Sequence, residues 1–306
     1  MKKLSTVLFV VIAFSLVLTG CISYEVQVPG EQGQDIITAE KALEAVKEDN
    51  TILVDAQSSG DYSNGHIKDT VNISRSDITV LGPFPNMLAP ASKIEETFSE
   101  NGISNDMRVI AYDSNNNMDA ARLWWTMKVY GHENVQVVSG GLKALQKAGA
   151  VTTTNEEPEI ETTQFKADEK NTEMIATKEE VLEQVNNPSD DVVLLDVRTQ
   201  EEYMRGTIPD SVHINYVENN NSDGTYKSID EILEIYPDND VNPDQTIIMY
   251  CKTSIRAAQT YLALHNAGYR DLKIYDAAWM QWGSDTSLPV EVPEGSSTET
   301  NFQDGS

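Results

Sequence analysis

Short apolar runs alternate along most of the chain with apolar residues at helical spacing. Val192 to Leu195 and Ile247 to Tyr250 are continuous apolar runs, and Leu272 to Tyr275 is a third candidate strand. Runs of this length are typical of strands that are buried on both faces of a parallel sheet. After the second run, apolar residues recur at helical spacing at Ala257, Ala258, Tyr261, Leu262 and Leu264. Strands that alternate with helices predict an α/β fold with a mainly parallel sheet flanked by helices.

Two local signals mark where helices begin and end. Thr177 and Glu180 have the spacing of a capping box, so a helix is expected to begin directly after Thr177. Gly268 follows the apolar pattern of residues 257–264, at the place where that helix should end.

The chain contains two copies of one unit. The segment from Thr51 to Asp55 matches the segment from Val192 to Asp196, and the residues that follow match at the same offset. The matched pairs are Tyr62 with Tyr203, Gly65 with Gly206, Ile67 with Ile208, Val71 with Val212 and Ile73 with Ile214. Later in the two units Tyr112 matches Tyr250 and Gly131 matches Gly268, after small loop differences. Two copies of this size indicate a duplicated domain rather than a solenoid.

The composition of the segments between the units predicts the domain boundaries. We expect two domains, at residues 35–152 and 171–292. The polar, acidic residues 153–170 are typical of a flexible linker. Residues 22–34 read as a spacer, and residues 293–306 have the composition of a disordered tail.

Residues 1–21 have the layout of a secretory signal: a positive start, an apolar stretch and small residues before a cysteine. The sequence Leu18-Thr19-Gly20-Cys21 resembles the lipobox of bacterial lipoproteins. This resemblance implies acylation of Cys21 and a lipid anchor on the extracytoplasmic face of the cell membrane. The alternative is an uncleaved N-terminal anchor.

The formal net charge of −27 limits the partners of the protein. Nucleic acids and anionic lipid headgroups favour Lys and Arg, so neither is an expected partner. An acidic surface that keeps the protein in solution is the simpler interpretation.

The chain has two cysteines, Cys21 and Cys251. If Cys21 carries lipid, Cys251 has no partner for a disulfide and is either a reactive thiol or an inert buried residue. Cys251 directly follows a predicted strand and precedes a helix that begins near Arg256. Ligands bind beyond the carboxyl ends of such strands, and a helix N-terminus together with Lys252 and Arg256 lowers the pKa of a thiol. Cys251 is therefore predicted to be a nucleophile.

Several motifs carry a resemblance to a known family. The loop Cys251-Lys252-Thr253-Ser254-Ile255-Arg256 resembles the six-residue active loop of rhodaneses. Further segments that are similar to two-domain thiosulfate sulfurtransferases occur in the expected order at 195–198, 206–209, 279–283 and 288–291. The likeness covers nearly all of residues 36–292.

The resemblance implies a sulfurtransferase that needs no cofactor. It would move sulfane sulfur from a small anionic donor such as thiosulfate to cyanide or a thiol, through a persulfide on Cys251. Loop residues Lys252, Thr253, Ser254 and Ile255 would bind the donor through their amides or side chains. Two arginines are added to the binding set: Arg256, which is expected to brace the loop, and Arg198, which is expected to face the pocket. Asp196 is expected to stabilise the end of its strand.

Four departures from the family pattern leave the sulfur donor open. Ser254 and Asp210 stand where glycine is usual, and Thr207 stands where histidine is usual. Thr253 replaces a lysine that is frequent in thiosulfate-using relatives.

The first unit lacks the nucleophile. Asp113 occupies the cysteine position there, so this unit resembles the non-catalytic half of tandem rhodaneses. Trp124 and Trp125 are expected in the core and between the domains. His66 and His132 are expected in loops or at the surface rather than as ligands, and no metal site is predicted.

Two other functions remain possible on this sequence. The chain could be a non-enzymatic lipoprotein that keeps the fold to bind persulfides or a partner, which Ser254 and Thr253 favour. Phosphatase chemistry is disfavoured, because similar phosphatase domains carry a seven-residue loop that encloses phosphate.

Overall fold

The structure is a computed structural model that describes residues 26–154 and 158–294. Cys21, the predicted signal segment and the predicted tail from residue 295 onward lie outside the described residues. Within the described ranges, no helix has the length and apolarity needed to cross a membrane.

The first domain is built on a parallel sheet. Among the described residues its strands are β1 (Ile36–Ile37), β2 (Thr51–Asp55), β3 (His66–Ile67), β4 (Val71–Asn72), β5 (Thr79–Val80), β6 (Met87–Leu88), β7 (Arg108–Tyr112), β8 (Val135–Val138) and β9 (Thr152–Thr153). Five of them form the sheet in the order β1-β8-β7-β2-β4, and all of its neighbouring strands are parallel. The strands β3 and β9, and likewise β5 and β6, form short antiparallel pairs.

The second domain repeats this sheet. Its strands in the described residues are β10 (Ile175–Ala176), β11 (Val192–Asp196), β12 (Val212–His213), β13 (Thr246–Tyr250) and β14 (Leu272–Tyr275). They pair in the order β10-β14-β13-β11-β12, again all parallel. The predicted α/β fold with two parallel sheets is therefore confirmed.

Helices cover the sheets of both domains. In the described part of the chain they are α1 (Ala39–Ala45), α2 (Ser59–Asn64), α3 (Arg75–Ile78), α4 (Ala91–Glu100), α5 (Met118–Val129), α6 (Gly141–Lys147), α7 (Lys178–Asn186), α8 (Gln200–Met204), α9 (Ile229–Ile235), α10 (Ile255–Asn266) and α11 (Ala278–Trp282). The capping box predicted at Thr177 and Glu180 is present at the start of α7.

The duplication extends to buried hydrogen bonds. The hydroxyl of Tyr112, at the end of β7, accepts a hydrogen bond from the backbone N–H of Ile67 at 3.0 Å. The hydroxyl of Tyr250, at the end of β13, accepts one from Ile208 at 3.1 Å. Ile67 matches Ile208 in the repeat, and Tyr112 matches Tyr250. In each domain this hydrogen bond therefore fixes the segment around the isoleucine to the end of the equivalent strand, β7 or β13.

The helices α5 and α10 pack against each other between the domains. Trp124 and Trp125 of α5 are fully buried, and the Trp124 ring lies 6.0 Å from the ring of Tyr261 in α10. The interpretation of these tryptophans as core and interdomain residues is confirmed. One apolar cluster consequently runs through both domains.

The segments interpreted as spacer and linker pack against the domains. Gly30 donates its backbone N–H to the carbonyl of Gly268 at 2.9 Å, which places the described part of the spacer on the second domain. In the linker, Phe165 is only 4% exposed and its ring lies 4.9 Å from that of Phe98. The expectation of a loose linker is wrong for these residues, because an isolated aromatic side chain has no periodicity to reveal its burial.

The two histidines of the first domain are also buried: His132 lies in the loop after α5, as expected, whereas His66 lies in β3 rather than in a loop or at the surface. His66 and His132 are each 1% exposed. His66 stacks on Tyr62 with 3.6 Å between ring centroids, and its Nδ1 is 2.8 Å from the carbonyl of Tyr62. Packing against aromatic rings explains their burial.

Candidate active site

Cys251 lies at the carboxyl end of β13, which is flanked by β11 and β14 in the sheet. It is 1% exposed and is followed by α10, which begins at Ile255. The geometry matches the expectation: the thiol stands where a parallel strand ends and a helix N-terminus begins, the usual ligand-binding edge of such sheets. We refer to residues 251–256 as the active loop.

Ser254 adopts the left-handed conformation that favours glycine. Its φ is +68°, and it is the residue immediately before α10. Its Oγ donates to the buried carbonyls of Tyr275, at 3.3 Å, and of Asp276. These bonds tie the active loop to the end of β14 and the residue after it, and they offset the strain of a side chain at positive φ.

Arg256 connects the active loop to α8. Its Nη2 donates to Oε1 of Glu202 at 2.9 Å and its Nη1 donates to Oε2 at 2.5 Å. Burial acts against the charged form of Arg256, but the bond to Glu202 and the neighbouring Cys251 outweigh it and raise the pKa of the guanidinium above its usual value. Arg256 thus braces the loop through an acidic partner, Glu202. The positive charge of Arg256 lies beside the Cys251 thiol.

Glu202 was not among the predicted site residues. Burial acts to raise its pKa, but the hydrogen bond and charge of Arg256 prevail and lower it to about 2. Glu202 also completes a capping box with Thr199 at the start of α8. The capping spacing is visible in the sequence, but the ion pair with Arg256 is not, since it joins residues 54 positions apart.

Arg198 is buried against Asp196 rather than facing solvent. It is 2% exposed, its Nε lies 2.9 and 3.0 Å from the two carboxylate oxygens, and its Nη2 donates to the carbonyl of Gly206 at 2.7 Å. The guanidinium carbon also lies 4.2 Å from the ring of Trp279. This placement differs from the predicted pocket-facing arginine.

The first domain contains the same arrangement without an arginine. Gln57, which matches Arg198, donates from Nε2 to Asp55 at 2.8 Å and to the carbonyl of Gly65 at 3.3 Å. Gln57 makes both contacts in the domain that has no nucleophile. We therefore infer a structural role for the matching pair of Arg198 and Asp196. Asp196 has the expected role of stabilising the strand end, and it also accepts from Thr207 Oγ1 at 2.9 Å.

The remaining loop residues differ in exposure. Lys252 is exposed, Thr253 is half-buried and Ile255 is buried. The backbone carbonyls of Cys251 and Lys252 accept hydrogen bonds from the start of α11, at 3.0 and 3.2 Å. Thr253 Oγ1 accepts a hydrogen bond from Asn86 of the first domain at 3.0 Å.

In the first domain, Asp113 fills the matching loop with its own carboxylate. Oδ1 accepts the backbone N–H groups of Asn115 and Asn117 at 2.8 and 3.0 Å, and Oδ2 accepts those of Asp119 and Ala120 at 2.8 and 2.9 Å. Burial and the charge of Asp119 raise the pKa of Asp113 to about 6. This loop reaches its helix one residue later than the active loop does.

The active loop has no such internal anion. Within residues 26–154 and 158–294, the backbone N–H groups of residues 252–256 donate to no protein acceptor. Amides at a loop and a helix N-terminus favour negative charge, and in the other domain such amides act to lower the pKa of Asp113 against burial and the charge of Asp119. In the described residues no group of three or more His, Cys, Asp or Glu side chains is placed to hold a metal ion.

Comparisons with known proteins agree with the duplicated fold. The family model of the rhodanese-like domain matches residues 38–148 and 177–285. A Saccharopolyspora erythraea protein named "Putative thiosulfate sulfurtransferase" is 30% identical over 253 residues, covering 76% of this chain and 87% of its own. The sulfur carrier protein TtuD of Thermus thermophilus is 29% identical over 211 residues, covering 63% of this chain and 74% of its own.

A solved structure shares the fold at lower identity. The anaerobic ergothioneine biosynthesis enzyme of Chlorobium limicola superposes with a TM-score of 0.77 at 22% identity. The superposition covers 85% of this chain and 71% of that enzyme.

Proposed function

The chain belongs to the family of rhodanese-like domains, and from this we propose that its second domain transfers sulfane sulfur through a persulfide on Cys251. The relatives named as thiosulfate sulfurtransferases support sulfur transfer as the reaction class. Donor, acceptor and intermediate belong to the proposal.

One observation carries the proposal: the contrast between the two matching loops. The amides of the first loop hold the Asp113 carboxylate, whereas those of residues 252–256, which directly follow the Cys251 thiol, have no acceptor in the described residues. A persulfide on Cys251 would bring a negative terminal sulfur to the place that the carboxylate takes in the first domain. Arg256 adds a positive charge beside that sulfur, and preorganised donors of this kind stabilise charge at low reorganisation cost.

The reaction follows two displacement steps. The Cys251 thiolate attacks the outer sulfur of thiosulfate, a new S–S bond forms, the S–S bond of the donor breaks, and sulfite leaves with the electron pair. Cyanide or a thiolate then attacks the terminal sulfur of the persulfide. Its product leaves with that sulfur, and the Cys251 thiolate is regenerated.

The test is sulfur transfer from thiosulfate to cyanide by the full chain, read as thiocyanate. The parent is Cys21→Ser, which leaves Cys251 as the single cysteine. We expect turnover in the parent, loss of turnover to the buffer rate in a further Cys251→Ser variant, and a mass increase of one sulfur on Cys251 after thiosulfate alone. Turnover that survives Cys251→Ser would refute the proposal.

A persulfide-binding protein without turnover is the second candidate. Ser254 and Thr253, which depart from the family loop, favour it. It predicts the same mass increase on Cys251 but no release of sulfur to cyanide or to thiols.

We also propose a lipid-anchored form on the extracytoplasmic face of the membrane, with Cys21 as the acylated residue and folded domains at 35–152 and 171–292. The Leu-Thr-Gly-Cys sequence supports it. Palmitate labelling in a bacterial host should mark the natural chain and not Cys21→Ser. Equal labelling of both chains would contradict it.

A further inference from the structure

A hairpin of the first domain reaches the active loop of the second. We call residues 79–88, which comprise β5, β6 and their connection, the covering hairpin. Its residues Phe84 and Met87 pack on the apolar cluster of the second domain that includes Tyr250 and Trp282. The first domain, which has no nucleophile in its own loop, thus contacts the active loop of the second through Asn86 and Thr253.

Backbone groups anchor this hairpin independently of the Asn86 side chain. The carbonyl of Asn86 accepts a hydrogen bond from Arg122 at 3.0 Å, and the N–H of Leu88 donates to Asp276 at 2.7 Å. Arg122 also pairs with Asp276 at 2.8 Å. Removal of the Asn86 side chain therefore leaves these anchors in place.

Among the described residues, the Asn86 side chain makes its hydrogen bond to Thr253 alone. Its Nδ2 donates to Thr253 Oγ1 at 3.0 Å. Because the Thr253 oxygen accepts this bond, the proton of its hydroxyl must point elsewhere. Thr253 Oγ1 makes no other hydrogen bond to the described residues, and it lies two positions after Cys251.

We propose that Asn86 is a positioning residue that makes the Thr253 hydroxyl a hydrogen-bond donor to an oxyanion on the sulfur donor. The substrate class is then a donor whose sulfane sulfur is attached to an oxygen-bearing group, as in thiosulfate and thiosulfonates. Polysulfides carry their negative charge on sulfur, which accepts hydrogen bonds more weakly than oxygen, so they gain less from this hydroxyl. The inference rests on the proposed function of Cys251.

The neighbouring charges strengthen this assignment. Arg256 is ion-paired with Glu202, Arg198 with Asp196 and Arg122 with Asp276, so donor groups of these guanidinium groups are already engaged. Besides the exposed Lys252, the arginines near the loop therefore carry partners already. A neutral hydroxyl, oriented by a neutral amide, would supply directional recognition of the donor oxygen.

The experiment compares thiosulfate with an inorganic polysulfide as donors for the full chain in the Cys21→Ser background. Thr253→Val removes the hydroxyl. Asn86→Gly removes the amide and suits the backbone, since Asn86 has a φ of +64°. Asn50→Gly is the matched control: Asn50 also has a positive φ, of +67°, and its amide donates to Asp106, to the carbonyl at 2.8 Å and to the carboxylate at 3.4 Å.

We expect kcat/KM for thiosulfate to fall about fivefold in Asn86→Gly and in Thr253→Val, mainly through KM, the equivalent of one hydrogen bond. The double variant should be no worse than Thr253→Val, because Asn86 acts through Thr253. With polysulfide, kcat/KM of Asn86→Gly and of Thr253→Val should stay within twofold of the parent value. Asn50→Gly should match the parent for both donors. Equal losses for both donors, or additive losses in the double variant, would overturn the inference.

A second readout does not need turnover. Sulfate has the oxygens of thiosulfate but no transferable sulfur, and it should slow alkylation of Cys251 by iodoacetamide. We expect about fivefold more sulfate to be needed for half-protection in Asn86→Gly and Thr253→Val than in Asn50→Gly. Unchanged protection would overturn the role of Asn86 even if Cys251 transfers sulfur. Altered protection in a chain without turnover would refute only the proposed reaction.

Discussion

Arg256 and Glu202 form a two-point ion pair that joins the first turn of α10 to α8. The Arg256 side chain is 17% exposed and the Glu202 side chain 29% exposed, so the pair is only partly screened by water. Because Arg256 also lies beside Cys251, Glu202 fixes the position of the positive charge that the thiol experiences.

This pair predicts a specific loss of stability in acid. The pKa of Glu202 is lowered from 4.5 to about 2 in the folded protein, so the pair stabilises the fold above pH 4.5, and this contribution is lost as the pH falls from 4.5 to about 2. Glu202→Gln should lower the free energy of unfolding by about 2 kcal/mol at pH 7 after allowance for partial exposure. In urea titrations, the difference in the free energy of unfolding between Glu202→Gln and the parent should shrink below pH 4.5.

The exposed pair of Glu201 and Arg205 on the same helix is the control. Glu201→Gln should change stability little at any pH. A Glu202→Gln difference that stays constant between pH 7 and pH 3 would contradict the assigned role of the pair.

Ser254 gives a prediction about the active loop. Ser254→Gly loses the one hydroxyl proton that is shared in hydrogen bonds to two carbonyls but removes the strain of a side chain at φ +68°, so stability should change by less than about 1 kcal/mol. Ser254→Ala loses the same bonds and keeps the strain, and should be less stable than Ser254→Gly by about 1 kcal/mol. Urea midpoints measure both, and equal midpoints would argue against strain at this position.

Asp113 predicts a latent anion site in the first domain. Asp113→Ala leaves four buried N–H groups without their acceptor and should destabilise the protein by about 2–3 kcal/mol. Sulfate or phosphate should restore part of this loss, since the amides then hold an external oxyanion. Melting temperatures against anion concentration measure the rescue. Equal stabilisation of parent and variant would show that the anion binds elsewhere.

Arg198 can be tested with the residue that the first domain uses. Arg198→Gln should keep contacts to Asp196 and Gly206 of the kind that Gln57 makes, whereas Arg198→Ala leaves the Asp196 carboxylate buried without its partner. We expect Arg198→Ala to cost about 3 kcal/mol or more and Arg198→Gln to cost less. Thiosulfate KM should stay within threefold in Arg198→Gln. A tenfold rise in KM without loss of stability would restore the predicted role in donor binding.

Local and repeated features of this chain could be predicted from sequence. The apolar runs that became β11, β13 and β14 follow from the burial of parallel strands on both faces. The position of Cys251 at a strand end follows from one such run and the helix after it.

Contacts between distant residues could not be predicted in this way. Arg198 has the same residue type whether it binds a donor or a buried carboxylate, and only the distances to Asp196 distinguish the two. Phe165 looked like part of a loose linker because a single apolar residue has no period.

The sequence by itself determined the duplicated α/β fold and the single candidate nucleophile, because both depend on residue type and on spacing over a few turns of chain. The tertiary structure alone decided which charge lies beside Cys251, which carboxylate neutralises it and which residue of the other domain contacts the active loop. These contacts join Arg256 to Glu202, 54 positions apart, and Thr253 to Asn86, 167 positions apart. Pairings at such separations depend on how the sheets and the two domains pack, and no local pattern encodes them.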